Sequence, residues 1–160
     1  MKLTNRDDIT EHEKKNLIYL LTISSLYTLG LMMSNIFVNI FLWRQSNDIE
    51  LLALYNLSIY VTQVLIFIVA GKWVKRFDRV IILRLGIVLI SIFFVGLLTL
   101  GSDALYYYWL LGAVLGAGYG FYLLAFNVLT FEVTEPHTRD YFNSTMGMLQ
   151  SIGGMIGPLF

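Results

Sequence analysis

Gly71-Lys72-Trp73-Val74-Lys75-Arg76-Phe77-Asp78-Arg79 separates two long apolar runs, 51–70 and 80–100. Five of these nine residues are charged. A Lys, Arg or Asp at mid-bilayer costs roughly 2.5–3.5 kcal/mol, so five together cost more than about 12 kcal/mol. The stretch belongs in water or among lipid headgroups. Four of its five charges are positive, and that excess orients everything around it.

Working outward, the whole chain is a membrane composition. Apolar residues make up 57% of its 160 positions and charged residues 14%, against about 45–50% and about 25% in soluble domains. There is no Cys, which excludes disulfides and thiolate metal sites. The two His, His12 and His137, lie outside the apolar runs. No phosphate loop, dinucleotide fingerprint or catalytic constellation is present. The expectation is a protein that is not an enzyme and has no metal, no cofactor and no nucleic-acid partner.

Residues 1–16 mix both charge signs and read as a cytoplasmic segment before a retained anchor helix, not a cleaved signal. Spans are expected at 17–43, 51–70, 80–100, 105–131 and 144–160, each long enough, or nearly so, for the roughly 30 Å hydrocarbon core. Arg84 sits in the first turns of the third span, where a long side chain can snorkel to the headgroups. Tyr106, Tyr107, Tyr108 and Trp109 form an interfacial belt at the start of the fourth. Residues 132–143, with Pro136, read as a polar connection. The sequence reads as cut within or at the end of the fifth span. Ten Lys and Arg fall before the first span, in or beside 71–79, or at Arg139; only Arg44 falls on the opposite side. By the positive-inside rule the N-terminus and the 71–79 loop face the cytoplasm of a multi-pass cell-membrane protein.

Inside the spans the polar residues are uncharged. Thr28, Asn35 and Asn39 share one face of the first helix; Asn56, Tyr60 and Gln63 share one of the second. Tyr119, Tyr122 and Phe126 form a stripe on the fourth helix with Asn127 beside it. Lipid offers such groups no hydrogen bonds, so they face protein or a water-filled path. Each is either interhelical glue, worth about 0.6–2 kcal/mol, or cavity lining. The fourth helix also carries Gly112, Gly116 and Gly120 at four-residue spacing with Gly118 between, and the fifth carries Gly147, Gly153, Gly154 and Gly157. Such ridges let backbones approach closely, and their smooth faces also permit sliding.

Placed between helices two and three, the charged stretch resembles the signature loop of the major facilitator superfamily, Gly-x-x-x-Asp-Arg-x-Gly-Arg-Arg/Lys. Gly71, Arg76 and Arg79 match it. Lys75 replaces the usual Asp, Asp78 the second Gly, and Val80 the last basic residue. The resemblance implies a gating loop built on Gly71, Arg76, Asp78 and Arg79; with Lys75 in the acid's place, the gate contact is read as Arg76 or Arg79 with Glu132 or Asp78. Helix five is similar to the Gly-(x)8-Gly-(x)3-Gly-Pro pattern of the superfamily's antiporters at Gly153, Gly157 and Pro158, with Ser144 at the first Gly position. The Arg that opens helix four in many proton-coupled drug antiporters has no counterpart.

The expected fold is an all-α polytopic bundle, the first five of twelve transporter helices. The function the resemblance implies is secondary transport of a small solute by alternating access, with a lean towards efflux. Asn35, Asn39, Tyr119, Tyr122 and Asn127 would face the solute. The expected partners are that solute, the bilayer and a C-terminal half. The alternative is a non-transporting multi-span scaffold or sensor that uses its glycine ridges to bind other helices.

Overall fold

The computed structural model describes residues 11–74, 76–134 and 136–156. They form five helices: α1 (Glu11–Ser46), α2 (Ile49–Trp73), α3 (Arg79–Leu100), α4 (Tyr108–Val133) and α5 (Pro136–Ile156). A 3₁₀ turn over Gly101–Leu105 joins α3 to α4. No strand occurs among the described residues. Among the described residues four stretches are long and apolar enough to cross a membrane: Ile18–Ser46, Ile49–Trp73, Arg79–Leu105 and Tyr108–Val133.

Short turns follow α1 and α3. Asn47 takes a left-handed φ of 50° after α1, and its N–H bonds to the Trp43 carbonyl at 2.8 Å. Asn tolerates that conformation better than most residues. Asp48 then caps α2, its Oδ1 accepting from Glu50 N–H at 2.9 Å. Gly101, with φ 51°, closes α3 in a geometry that suits Gly.

The chain divides into two compact units, 1–37 with 131–160, and 38–130. The second unit is built on α4. A methyl group at Gly112 would lie 2.8 Å from the Tyr55 carbonyl oxygen and 3.0 Å from the Ser58 side chain. One at Gly116 would collide with the Ile59 carbonyl oxygen and lie 3.0 Å from Ile59 Cα. At Gly120 it would meet the Ile66 side chain at 2.7 Å. These three glycines form the face on which α2 rests.

Gly118, roughly opposite at 100° per residue, opens the other face. A methyl group there would lie 2.7 Å from the Ile90 side chain of α3. Gly86 of α3 answers it, since its own Cβ would lie 2.6 Å from Tyr122 N. The buried stripe of α3, Ile82-Gly86-Ile90-Phe93-Leu97, follows this contact. Ser58 adds a hydrogen bond from its Oγ to the Trp109 carbonyl at 2.7 Å. Beneath the 71–79 stretch, Ala70, Ile82, Phe121 and Ala125 form a buried cluster.

In the first unit, Ser25 of α1 donates to Leu21 O at 2.6 Å and approaches Met146 Sδ of α5 at 3.5 Å. Phe142 is fully buried. The fifth helix begins at Pro136, inside the stretch expected to be a polar connection. Proline's fixed φ and missing N–H suit the first helical position. Polarity at 136–143 signals only that these turns are wet, not that they are non-helical. Residues 157–160, with Gly157 and Pro158, lie outside the described residues.

Arg139 closes the α4–α5 corner. Its guanidinium donates to the Phe131 carbonyl at 3.1 Å, to the Thr134 carbonyl at 3.0 Å and to Thr134 Oγ1 at 3.2 Å. It also lies 3.8 Å above the centre of the Phe131 ring. One cation thus satisfies carbonyls that the end of α4 leaves unpaired.

Four substitutions test these placements. Gly116→Ala lowers thermal stability of the detergent-solubilised protein by about 1–3 kcal/mol through overpacking. Gly147→Ala, where a methyl group meets nothing within 4 Å, is neutral or stabilising by up to about 1 kcal/mol. Arg139→Ala speeds amide exchange over 131–140. Arg139→Lys does not restore protection, because an ammonium lacks the planar fork that reaches several acceptors at once.

Candidate functional site

The 71–79 stretch is held by its aromatics and by one cap. Trp73, the last residue of α2, stacks on Phe121 of α4 with centroids 5.7 Å apart and planes at 28°. Phe77 meets Trp73 edge-on at 6.1 Å. The N–H groups of Arg76 and Phe77 both bond to the Trp73 carbonyl, at 2.9 and 2.8 Å. The loop is therefore folded back on Trp73, and Trp73 is fastened to the core beneath it. Sequence reading missed this anchor, although two aromatics in so charged a stretch were the available signal.

Asp78 is the N-cap of α3. Its Oδ1 accepts from Val80 N–H at 3.0 Å, and its backbone carbonyl accepts from Ile81 at 3.0 Å and Ile82 at 3.3 Å. Lys72, Arg76 and Arg79 are exposed around it. The result is a cationic surface whose single acid is partly engaged in starting the next helix. Gly71 is half-buried, and a methyl group on it would meet nothing within 4 Å. Glu132 is exposed in the last turn of α4 and belongs to the first unit. Lys75 lies outside the described residues.

Of the residues expected to face solute, Asn39 pairs with α2. Asn56 Nδ2 donates to Asn39 Oδ1 at 2.9 Å and to the Leu52 carbonyl at 2.8 Å. That amide bond joins the two polar faces that sequence periodicity identified separately. Asn35 is half-buried and lies in the first unit.

Tyr119, Tyr122 and Phe126 occupy the edge of α4 between its two glycine faces. Tyr122 and Phe126 stack at 5.8 Å with planes 6° apart. Tyr119 is half-buried. Tyr55 is fully buried, and its hydroxyl has no hydrogen-bond partner among the described residues. Asn127 and Tyr60 are exposed. The second unit thus carries an aromatic and amide surface along α2 and α4, with phenol hydroxyls as its polar points. Tyr55 was missed because it follows the buried period of α2, not its polar one. Gly153 lies in α5, away from these side chains in sequence and in the other unit. Among the described residues no group of three or more acids or His is placed to hold a metal.

The comparisons agree with this architecture. The family model of the Major Facilitator Superfamily matches residues 6–158. The chain is 52% identical over 158 residues to a protein of Geobacillus stearothermophilus designated "Uncharacterized protein in sodM 3'region", covering 99% of this chain and 72% of that one. It is 54% identical over 145 residues to "Uncharacterized protein YqgE" of Bacillus subtilis (strain 168), covering 91% of this chain and 34% of that one. No solved structure matches. A family match over nearly the whole chain, on four helices able to cross a bilayer, makes this multi-pass membrane protein a member of the major facilitator superfamily, a superfamily of transporters.

Proposed function

We propose that the chain forms part of a secondary transporter that moves a small solute across the cell membrane by alternating access. The observation that carries this reading is the family match over residues 6–158. In such proteins two helical halves rock about a site near the bilayer midplane. The N-terminus and the 71–79 loop face the cytoplasm on this reading, following the ten-to-one bias of Lys and Arg. Net movement is outward, in keeping with the helix-five pattern at Gly153, Gly157 and Pro158.

Tyr119, Tyr122 and Asn127 are assigned to the solute face, with Asn35 and Asn39. Aromatic faces and phenol hydroxyls suit a solute with a ring or a delocalised cation. Asn39 has a second duty, because its carbonyl oxygen accepts the Asn56 bond. Gly71, Arg76, Asp78 and Arg79 are assigned to the gate. The open space at Gly71 supports this, since a glycine in a helix sacrifices up to about 1 kcal/mol relative to alanine and gains no contact there among the described residues. One oxygen of Asp78 is committed to Val80 N–H, so Glu132 is the acid assigned to Arg76 or Arg79.

Two measurements test the reading. In the full-length protein, Arg76→Ala slows transport at least several-fold with membrane insertion and protein level unchanged; an unaltered rate refutes the gate. A thermal-stability screen of the purified protein against small organic solutes should find at least one stabilising compound, and Tyr119→Ala should weaken its binding about ten-fold. A stabilising solute whose affinity ignores Tyr119 removes that residue from the solute face. A full panel without stabilisation or vesicle transport counts against a transport role.

A further inference from the structure

The outward face of α3 carries a feature that neither the gate nor the solute face uses. Val88, Ser91, Ile92, Val95 and Gly96 line a groove of 420 Å³. The groove is open along one side, so an occupant would lie along it and not be enclosed by it. The positions recur at helical spacing, so one side of one helix supplies the whole lining. Ser91 and Gly96 are the small residues of this lining, and Val88, Ile92 and Val95 its branched apolar ones. The one hydroxyl, Ser91 Oγ, donates to the Ile87 carbonyl at 3.0 Å, so it is satisfied by its own helix. The trough is therefore effectively hydrocarbon.

Arg84 stands on the same stripe, one turn before Val88. Arg84, Val88, Ser91 and Val95 fall within about 60° of one another at 100° per residue, and all four are exposed. No described residue supplies Arg84 with a hydrogen bond or an ion pair. It lies five residues into α3, about 7.5 Å along the axis. With the start of α3 taken at the membrane surface, the headgroup layer of each leaflet, roughly 5–8 Å deep, places the guanidinium at the level of lipid phosphates. From Val88 to Gly96 the groove runs about 12 Å, inside the roughly 15 Å that one leaflet of hydrocarbon spans.

We propose that this face of α3 is a binding site for an anionic phospholipid, its phosphate held by Arg84 and one acyl chain lying in the groove from Val88 to Gly96. The charge chooses the headgroup: guanidinium and phosphate make strong, often bidentate, hydrogen bonds, and a net-negative lipid adds attraction that a zwitterionic one lacks. The same charge argues against a second copy of the chain on this face. Copies inserted in the same orientation and related by a two-fold axis along the membrane normal would bring two Arg84 side chains to one depth, face to face.

The test is native mass spectrometry of the full chain with phosphatidylglycerol or phosphatidylcholine of matched acyl chains. Phosphatidylglycerol is expected to be retained about five-fold better, the ratio that corresponds to roughly 1 kcal/mol per basic residue at an anionic surface. Arg84→Gln should abolish the preference, and Arg44→Gln should leave it intact. Ser91→Trp should reduce phosphatidylglycerol retention by filling the groove. Gly96→Leu repeats that test from the other end, where an added Cβ meets only Leu111 at 3.8 Å. Equal retention of the two lipids, an unchanged preference in Arg84→Gln, or equal loss in Arg44→Gln overturns the site. So does a Ser91→Trp protein that loses a dimer but keeps its lipid, since the groove then belongs to a second copy.

Discussion

The approach of the α4 backbone to α2 on one side and α3 on the other is the contact on which the second unit depends. In a membrane the hydrophobic effect does not drive helices together, because lipid tails are as apolar as leucine. Association rests on van der Waals packing and on a few polar bonds. Glycine makes that packing dense by removing the Cβ that would hold two backbones apart. Gly112, Gly116 and Gly120 admit Tyr55, Ser58, Ile59 and Ile66; Gly118 and Gly86 admit Ile90 and the Tyr122 backbone. Ser58 to the Trp109 carbonyl and Asn56 to Asn39 supply polar bonds at separate places. The surface features hang from this frame: the charged stretch sits over the Ala70–Ile82–Phe121–Ala125 cluster and is pinned to it by Trp73.

Fold class was legible because charge and apolar length are coarse signals with large energies behind them. A charged residue at mid-bilayer is costly enough that charges mark the ends of apolar runs. The glycine faces were legible too, since four-residue spacing puts residues on one stripe. Which helix would fill each face was not. Periodicity assigns a residue to a face of its own helix, and the rotation of the neighbour is a tertiary property. That is why Asn39 and Asn56 were read as two polar faces when they are one bond. Arg139 was read as a topogenic charge when it is also a clamp on Phe131 and Thr134. The signal was present: a cation a few residues past the end of an apolar helix is placed to meet its last carbonyls. Pro136 likewise marked a helix start, but the polar residues after it outweighed that cue because hydropathy was taken as the test of helix.

Asp78 shows how a local requirement can occupy a residue that a motif assigns elsewhere. A helix leaves four N–H groups unpaired at its start, and an Asp at the N-cap is worth about 1 kcal/mol. Asp78 meets that need through Val80. A carboxylate so engaged also sets its charge against the positive end of the helix dipole. The stretch keeps its cationic surface, but its one acid is turned towards α3. In a loop with Lys75 where the superfamily pattern has Asp, Arg76 and Arg79 stand exposed beside an acid that is partly engaged in the cap.

The glycines fall into two populations, and the division bears on motion. Glycine ridges were read as sites of close backbone approach whose smooth faces also permit sliding. On α4 the notches are filled: Ser58 and Ile66 from α2 and Ile90 from α3 occupy them. Sliding by even one residue, about 1.5 Å along the axis, would carry these groups towards neighbours that bear a Cβ. Close-packed interfaces of this kind switch between discrete arrangements and do not deform continuously. The packed segments of α2, α3 and α4 therefore behave as one body. Gly30, Gly71, Gly147 and Gly154 are different, since a Cβ on any of them meets nothing within 4 Å. A methyl group at any of these four would displace no neighbour among the described residues, so these glycines do not hold helices together as those of α4 do.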